Sequence, residues 1–319
     1  MTVQLGVIMD SLASIKIQKD TTVAMLQEAQ KLNWKIFYME QHDLFLEQGV
    51  CMATMYPIEI DLTRNPWYEL KKPIRQPLSK LQTVLMRKDP PFNMEYIYTT
   101  YLLEIAEAAG TFIVNRPQAL RDANEKLFIN WFPQCCPPTL VARRAEHIRD
   151  FIQQQGEVVI KPLEGMGGFR IFRTNKQDPN LSVILETMTD YGNQFTMVQK
   201  FIPAITEGDK RVIIIDGEPL SYMLARIPKP GETRGNLAAG ATPQVLPLGG
   251  REKWICAQIS ETLRKKGLLF VGIDIIGDFL TEINVTSPTG IREIEAVENI
   301  NISQKLLEKI TIYLQRNGT

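Results

Sequence analysis

The chain predicts two architectures in series: an open α/β domain on a parallel sheet, then an α+β region of strands joined by tight turns. Three observations carry this. Over about the first 120 residues, apolar runs of strand length alternate with amphipathic helical stretches. Around residues 158–173 strand follows strand through a glycine-rich turn, with no helix between. Residues 270–284 read as a hairpin with oxygen ligands on one face. Strand–helix–strand order places parallel neighbours on one sheet, whereas strand–turn–strand order makes antiparallel pairs.

Residues 3–9 are a short apolar strand, residues 22–31 carry apolar positions at helical spacing, and residues 34–39 are the next strand. That is a βαβ unit. A third strand is expected at 81–86, a helix at 99–109 and a fourth strand at 111–115. Ligands of such sheets sit beyond the carboxyl ends of the strands, which are residues 10–21 and 87–91 here. A connecting helix is expected at 120–131, a turn at Pro137 and Pro138, a helix at 144–154 and a strand at 158–163. The turn 164–168 and a strand at 169–173 follow. This order excludes a Walker motif, which needs GK[ST] opening a helix. Glycines between two strands make a flap whose backbone N–H groups can lie over phosphates, and an unliganded hairpin has the same pattern. Residues 196–203 are a strand broken by proline, and 209–216 and 220–227 are a pairing couple. Residues 228–250, rich in Pro and Gly, are expected as a long lid-like loop without regular structure. Trp254, Ile255, Ile259 and Leu263 repeat at helical spacing, and Gly267 is a natural helix stop.

Bulk properties narrow the function classes. The 319 residues are 44% hydrophobic and 23% charged, and 36 basic against 36 acidic side chains give a formal net charge of +0. No global field points to nucleic acid or an anionic membrane, so an anionic ligand must be met by a local cluster. No apolar run is long enough to span a bilayer and the first residues lack a basic leader, so a cytoplasmic location is expected. Cys51, Cys135, Cys136 and Cys256 show no CxxC spacing, which argues against zinc or a disulfide framework. The two histidines, His42 and His147, have no Ser, Cys or Glu partner at a recognisable spacing, so a serine triad or histidine acid–base chemistry is disfavoured.

In the hairpin, Glu282 and Asn284 stand two apart and share a strand face, with Ile283 pointing the other way and Asp274 opposite on the neighbouring strand. A sparse Asp/Glu/Asn set suits magnesium, which keeps waters and shares substrate phosphates, better than a calcium cage. Solvent-facing acids on an ordinary antiparallel pair would look the same. Lys126, Lys161, Arg211, Arg226 and Arg234, together with the flap and the hairpin, describe a cleft for a magnesium nucleotide. Lysine serves as a point charge on phosphate, while guanidinium forks suit carboxylates and a transferring phosphoryl group. Phosphoryl transfer depends on positioning and charge neutralisation, which agrees with the scarcity of histidine.

The motifs KPLEGMGG (161–168), DKR (209–211), ARIP (225–228), ETRGNLAAG (232–240), DIIG (274–277) and EINVTSPT (282–289) resemble bacterial glutathione synthetases. These are carboxylate–amine ligases of the ATP-grasp superfamily. MRKDPP (86–91) and NRPQALRDANEK (115–126) extend the resemblance through the N-terminal and linking segments. It implies an N-terminal α/β substrate domain over 1–122, an ATP-grasp small subdomain over 123–202 and a catalytic subdomain over 203–319 with a mobile loop at 228–242. It also implies ligation of γ-glutamylcysteine to glycine through an acyl phosphate, with ATP and two Mg²⁺ (Mn²⁺ as an alternative), in a homotetramer with no nucleic-acid or membrane partner. On matching positions, Asp274, Glu282 and Asn284 would hold the metal ions. Lys126, Lys161 and the flap glycines Gly165, Gly167 and Gly168 would contact phosphates. Gln199, Lys200, Phe201 and Ile202 would form the hinge strand at the adenine edge, with Asp209 at the ribose. Arg211 and Arg226 would neutralise the transferring phosphoryl group, and the loop from Arg234 to Gly240 would close over the acyl phosphate. Ser287, Thr289 and Arg292 would serve glycine, and Arg87 with Lys19 would recognise γ-glutamylcysteine.

Two positions depart from the family pattern: Ala241 stands where a second glycine is frequent, and Phe201 where tyrosine is usual. Alanine costs backbone freedom at positive φ, so loop motion is affected first. Another ATP-grasp ligase and a non-catalytic nucleotide-binding module share the phosphate and metal parts. Only the substrate ends, residues 286–292 and the N-terminal pocket, separate the first. Loss of a metal ligand or of Arg234 would mark the second, and none is lost.

Overall fold

Among the described residues three sheets carry the fold, each laid down by its own consecutive stretch of chain. The computed structural model describes residues 2–165, 167–232, 235 and 240–318.

In the first sheet, strand Gln4–Ile8 lies between Lys35–Met39 and Thr83–Met86, with Phe112–Val114 beyond, and all four run parallel. Both faces of these strands are covered, which is why they read as continuous apolar runs. Helix Thr21–Lys31 starts where the Asp20 carboxylate accepts the Val23 N–H at 2.7 Å. Helix Met94–Ala108 starts where Asn93 Oδ1 accepts the Tyr96 N–H at 3.0 Å, so it begins at Met94 rather than Thr99. An antiparallel ribbon of Leu44–Glu47, Val50–Ile60, Tyr68–Leu70 and Ile74–Pro77, for which the sequence raises no expectation, widens the sheet past Lys35–Met39.

The second sheet is antiparallel in the order Phe172–Thr174, Val158–Pro162, Thr196–Lys200, Thr139–Ala142. Helices Ala145–Gln155 and Leu181–Thr189 cover one face, where Ile148, Ile152, Leu185 and Met188 pack with Val158, Ile160 and Val198 in a core of their own. The third sheet is also antiparallel, in the order Thr242–Pro247, Glu218–Ile227, Asp209–Ile215, Phe270–Ile276, Phe279–Asn284. Helix Gly250–Lys266 ends at Gly267 with φ 72°, the left-handed stop that glycine provides. Helix Ile302–Asn317 closes the chain, and its Leu306 and Ile310 share a core with Met25 of the first layer and Ile213 and Ile215 of the third sheet.

One buried side chain stitches the first sheet to the third. Asn115 donates to the carbonyls of Phe270 at 2.8 Å and Val285 at 2.7 Å and accepts the Phe270 N–H at 2.9 Å.

Three further expected elements differ. The helix expected at 120–131 is split into Pro117–Asp122 and a 3-10 turn at Leu127–Trp131. Asn124 Oδ1 accepts the N–H groups of Lys126 at 3.1 Å and Leu127 at 2.8 Å, a local turn that competes with the helix ladder. The strand expected from Phe169 forms only at Phe172–Thr174, because residues 167–170 turn and Arg170 sits at φ 53°. The loop 228–250 contains an edge strand, Thr242–Pro247, paired with Tyr222 to Ile227. All four cysteines are free, and among the described residues no helix is long and apolar enough to cross a membrane.

Candidate active site

The inner face of the third sheet is a row of charges set by strand register. Arg211 is directly opposite Asp274, and Asp274 is opposite Glu282; two residues to one side Asp209 is opposite Arg226, and two residues to the other Gly272 is opposite Asn284. Alternation then sends Val212, Ile273 and Ile283 to the opposite face and into one core, all of them fully buried. The hairpin face expected from the spacing of 274, 282 and 284 is the one observed.

These charges are tightly paired. Arg211 donates to Asp274 through Nε at 2.5 Å and a terminal nitrogen at 2.9 Å, Arg226 reaches the same carboxylate at 2.9 Å, and Asn284 Nδ2 donates to it at 3.1 Å. Burial alone would raise the Asp274 pKa, but the two guanidinium groups outweigh it and hold the carboxyl well below the usual range. Arg226 also donates to Asp209 at 2.5 Å. Burial still pushes Asp209 up to about 7, with Arg226 opposing. The other oxygen of Asp209, Oδ1, is buried and has no hydrogen-bond partner among the described residues. An acceptor left so costs ~1–3 kcal/mol unless a ligand supplies a donor.

The second sheet faces this row across a cavity of about 360 Å³. Lys161, buried at the end of its strand, points Nζ at the Thr281 carbonyl at 3.4 Å. Burial depresses its pKa, with Glu282 pulling the other way. Lys126, carried by the Asn124 turn, donates to Glu125 and to the Gly165 carbonyl at 2.8 Å and lies 3.9 Å from Glu282. Burial would lower its pKa too, but Glu282 and Glu125 outweigh it and hold the ammonium above its ordinary range. Gly165, Gly167 and Gly168 line the cavity at φ 103°, 69° and 80°, backbone that a Cβ would strain.

Of the other expected positions, Gln199, Lys200, Phe201, Ile202, Ser287 and Thr289 also line the cavity. Arg87, Arg292, Lys19 and Gly240 are not among its lining residues. Arg87 is buried behind it, donating to Thr22 Oγ1 at 3.1 Å and to the Pro288 carbonyl at 2.9 Å. Arg292 donates to Gln27 Oε1 at 2.9 Å and to the Asp20 carbonyl at 3.3 Å, Lys19 is exposed, and Gly240 turns beside Lys229. Arg234, the lid arginine of the sequence reading, lies outside the described residues.

Three charged lining residues were not among the positions expected from the sequence. Glu125 precedes Lys126 in the NRPQALRDANEK stretch; burial first, and then Glu282, raises its pKa. Asp89 belongs to the strand-end loop 87–91 already marked as a ligand position. Arg173 stacks 3.9 Å over Phe201 and forks onto Glu157 at 2.8 Å through two nitrogens. Period-two spacing from Ile171 was its signal.

The donor set bears on a metal directly. Among the described residues no cluster of three or more His, Cys, Asp or Glu side chains could hold an ion. Two carboxylates and an amide suit an ion that takes its remaining ligands from phosphate and water.

Comparison with known proteins identifies the family of the chain. The family model described as "Prokaryotic glutathione synthetase, N-terminal domain" matches residues 3–121, and "Prokaryotic glutathione synthetase, ATP-grasp domain" matches residues 125–299. The glutathione synthetase of Pseudomonas putida is 56% identical over 310 residues, covering 97% of this chain and 98% of its own. That of Vibrio vulnificus strain YJ016 is 53% identical over 315 residues, covering 99% of each. Among solved structures, the D-cycloserine synthetase DcsG superposes with a TM-score of 0.68 at 13% identity, over 96% of this chain and 99% of that one. The ATP-grasp ligase PsnB, complexed with minimal precursor, Mg and ADP, gives 0.62 at 15% identity, over 97% and 98%. These two likenesses speak to fold alone, which is that of an ATP-grasp ligase; sequence and fold together make this chain a member of the prokaryotic glutathione synthetase family.

Proposed function

We propose that the protein is an ATP-dependent carboxylate–amine ligase that joins γ-glutamylcysteine to glycine through an acyl phosphate, giving glutathione, ADP and phosphate. The observation that carries the reading is the charge row Arg211–Asp274–Glu282, facing Lys126 and Lys161 across one cavity. Full-length identity to glutathione synthetases supports the choice of substrates.

In this reading Lys126 and Lys161 hold the nucleotide phosphates as point charges, and the flap glycines add backbone N–H groups. Asp274, Glu282 and Asn284 hold divalent ions, Mg²⁺ in our reading and Mn²⁺ as an alternative, whose chemistry when bound is to neutralise phosphate charge. The residues from Gln199 to Ile202 receive the adenine, and the orphaned Asp209 Oδ1 takes a ribose hydroxyl. A cysteinyl carboxylate oxygen attacks the γ-phosphorus as its bond to the β-phosphate oxygen breaks. Arg211 and Arg226 meet the charge that builds on the transferring group. Glycine's amine then attacks the acyl carbon, phosphate leaves with the carboxylate oxygen, and the amine proton passes to solvent. Arg234 to Gly240 exclude water from the acyl phosphate. Ser287, Thr289 and Arg292 serve glycine, and Arg87 with Lys19 the dipeptide. A homotetramer in the cytoplasm belongs to the same proposal.

Incubation with ATP, Mg²⁺, glycine and γ-glutamylcysteine labelled with ¹⁸O in its cysteinyl carboxylate tests the route. Label in the released phosphate is the expected result. Glutathione formed with unlabelled phosphate would exclude the acyl phosphate, and no ADP release with this pair would remove the assignment.

A further inference from the structure

The wall of the cavity between its charged end and the hinge is apolar, with Val159, Ile171, Phe201, Ile202 and Ile276 among its lining. A buried polar side chain lies within it. Gln199 is 4% exposed, lines the cavity, and stands opposite Thr139 in the second sheet, with Val159 as its partner on the other side.

The hydrogen bonds around Thr139 leave its neighbour a single orientation. Thr139 Oγ1 lies 2.8 Å from the Pro137 carbonyl and 3.0 Å from the Gln199 amide. A carbonyl only accepts, so the single hydroxyl proton goes to Pro137. Oγ1 then has only lone pairs left for Gln199, and the amide must turn its Nε2 toward Thr139. That leaves Oε1, which accepts from no other described residue, as the amide atom available to an occupant of the cavity.

We infer that Thr139 is a positioning residue for nucleobase choice: by locking the Gln199 amide it presents a hydrogen-bond acceptor to the base and so selects a base with an exocyclic amine. This rests on the nucleotide reading above and sharpens it. Adenine offers its 6-amino group to such an acceptor. Hypoxanthine and guanine bring a 6-oxo oxygen, which would set two acceptors against each other. Thr139 itself does not line the cavity, so it acts through Gln199.

The test is the ratio of ADP to IDP affinity, measured by titration calorimetry on the full chain with Mg²⁺. The two ligands share ribose and phosphates and differ at position 6 of the base. Thr139→Val keeps the shape and removes the hydroxyl, freeing the amide to rotate. Its ADP:IDP ratio should fall about three- to tenfold from wild type, the worth of one neutral hydrogen bond. Thr139→Ser keeps the hydroxyl and should keep the ratio; Thr139→Ala carries the same expectation as valine should that variant not fold. An unchanged ratio in the variants without the hydroxyl overturns the inference, as does a loss in serine equal to that in valine, which would assign the effect to methyl packing. Wild-type protein that binds neither nucleotide would overturn the proposed function itself, a result distinct from tight binding with an unmoved ratio.

Discussion

Replacing Asp274 by Asn keeps the shape of the side chain and removes the charge that two buried guanidinium groups share. Arg226 retains the Asp209 carboxylate at 2.5 Å, but Arg211 is left with neutral acceptors, the amide oxygen at 274 and the Thr289 carbonyl at 3.3 Å. Breaking a buried pair by removing one partner costs ~3–5 kcal/mol, and the cavity gives Arg211 a path to water, so the lower end, ~3 kcal/mol, applies. At roughly 2 °C per kcal/mol for a chain of this size, Asp274→Asn should melt ~6 °C below wild type. Glu282→Gln is the control. Its carboxylate is 24% exposed and 3.9 Å from Lys126, a pair worth ~0–1 kcal/mol, so its melting point should barely move. Both variants should lose metal-dependent ADP release. Calorimetry in EDTA without nucleotide reads the first effect and a coupled ADP assay the second. Equal melting of the two variants, within about 1 °C, would refute the ion-pair reasoning.

Lys161→Met should raise the KM for ATP at least about tenfold while leaving the melting point equal or higher, because it removes a buried ammonium whose nearest acceptor is 3.4 Å away; a less stable variant would contradict this. Asp209, pushed up to about 7, keeps its proton in the folded chain where the unfolded chain, near pKa ~3.9, has lost it. The unfolded state therefore binds fewer protons between pH ~4 and ~7, and the wild type loses stability as pH rises through that window. Asp209→Asn removes the slope, so the variant's melting point should gain on wild type from pH ~4 to ~7, and a flat difference would count against the shift. Gly272→Ala would place a Cβ 2.8 Å from Pro288 Cβ and 3.0 Å from Arg211 Cδ, an overpacking of ~1–3 kcal/mol that displaces the 286–290 loop. Its glycine KM should rise; an unchanged value would argue against glycine binding at that loop.

The parts of the fold set by local periodicity were legible. Strands 4–8, 35–39 and 83–86 are apolar runs because both faces are covered, and Gly267 ends its helix in the left-handed conformation. The charged row of the hairpin was legible for the same kind of reason: residues two apart on a strand share a face, and register then brings Asp274 to Glu282. Features that depend on a single side chain competing with the backbone were not. Asn124 breaks a stretch whose composition is helical, and Asn93 adds a turn to another. The ribbon at 44–77 pairs through neighbours far away in the chain, and the strand Thr242–Pro247 lies exposed at an edge where no apolar pattern is required. Lysine and arginine types alone also say little about reach: Arg87 and Arg292 turned out to be held by Thr22, Pro288 and Gln27 beside the cavity rather than on its wall.

The Asn115 stitch has a mechanical consequence. With Arg87 gripping Pro288 and Arg292 gripping Gln27, it fastens the parallel layer and the hairpin layer into a single frame with shared packing. The remaining layer has its own hydrophobic centre and meets the frame chiefly through Met197, Val141 and Leu163. A swing of that layer alone would open the cleft and leave those hydrogen bonds of the frame unbroken. Lys161 would ride on the swinging jaw and Asp274 stay on the anvil, so the separation between these two residues would be the coordinate along which a nucleotide is admitted or clamped.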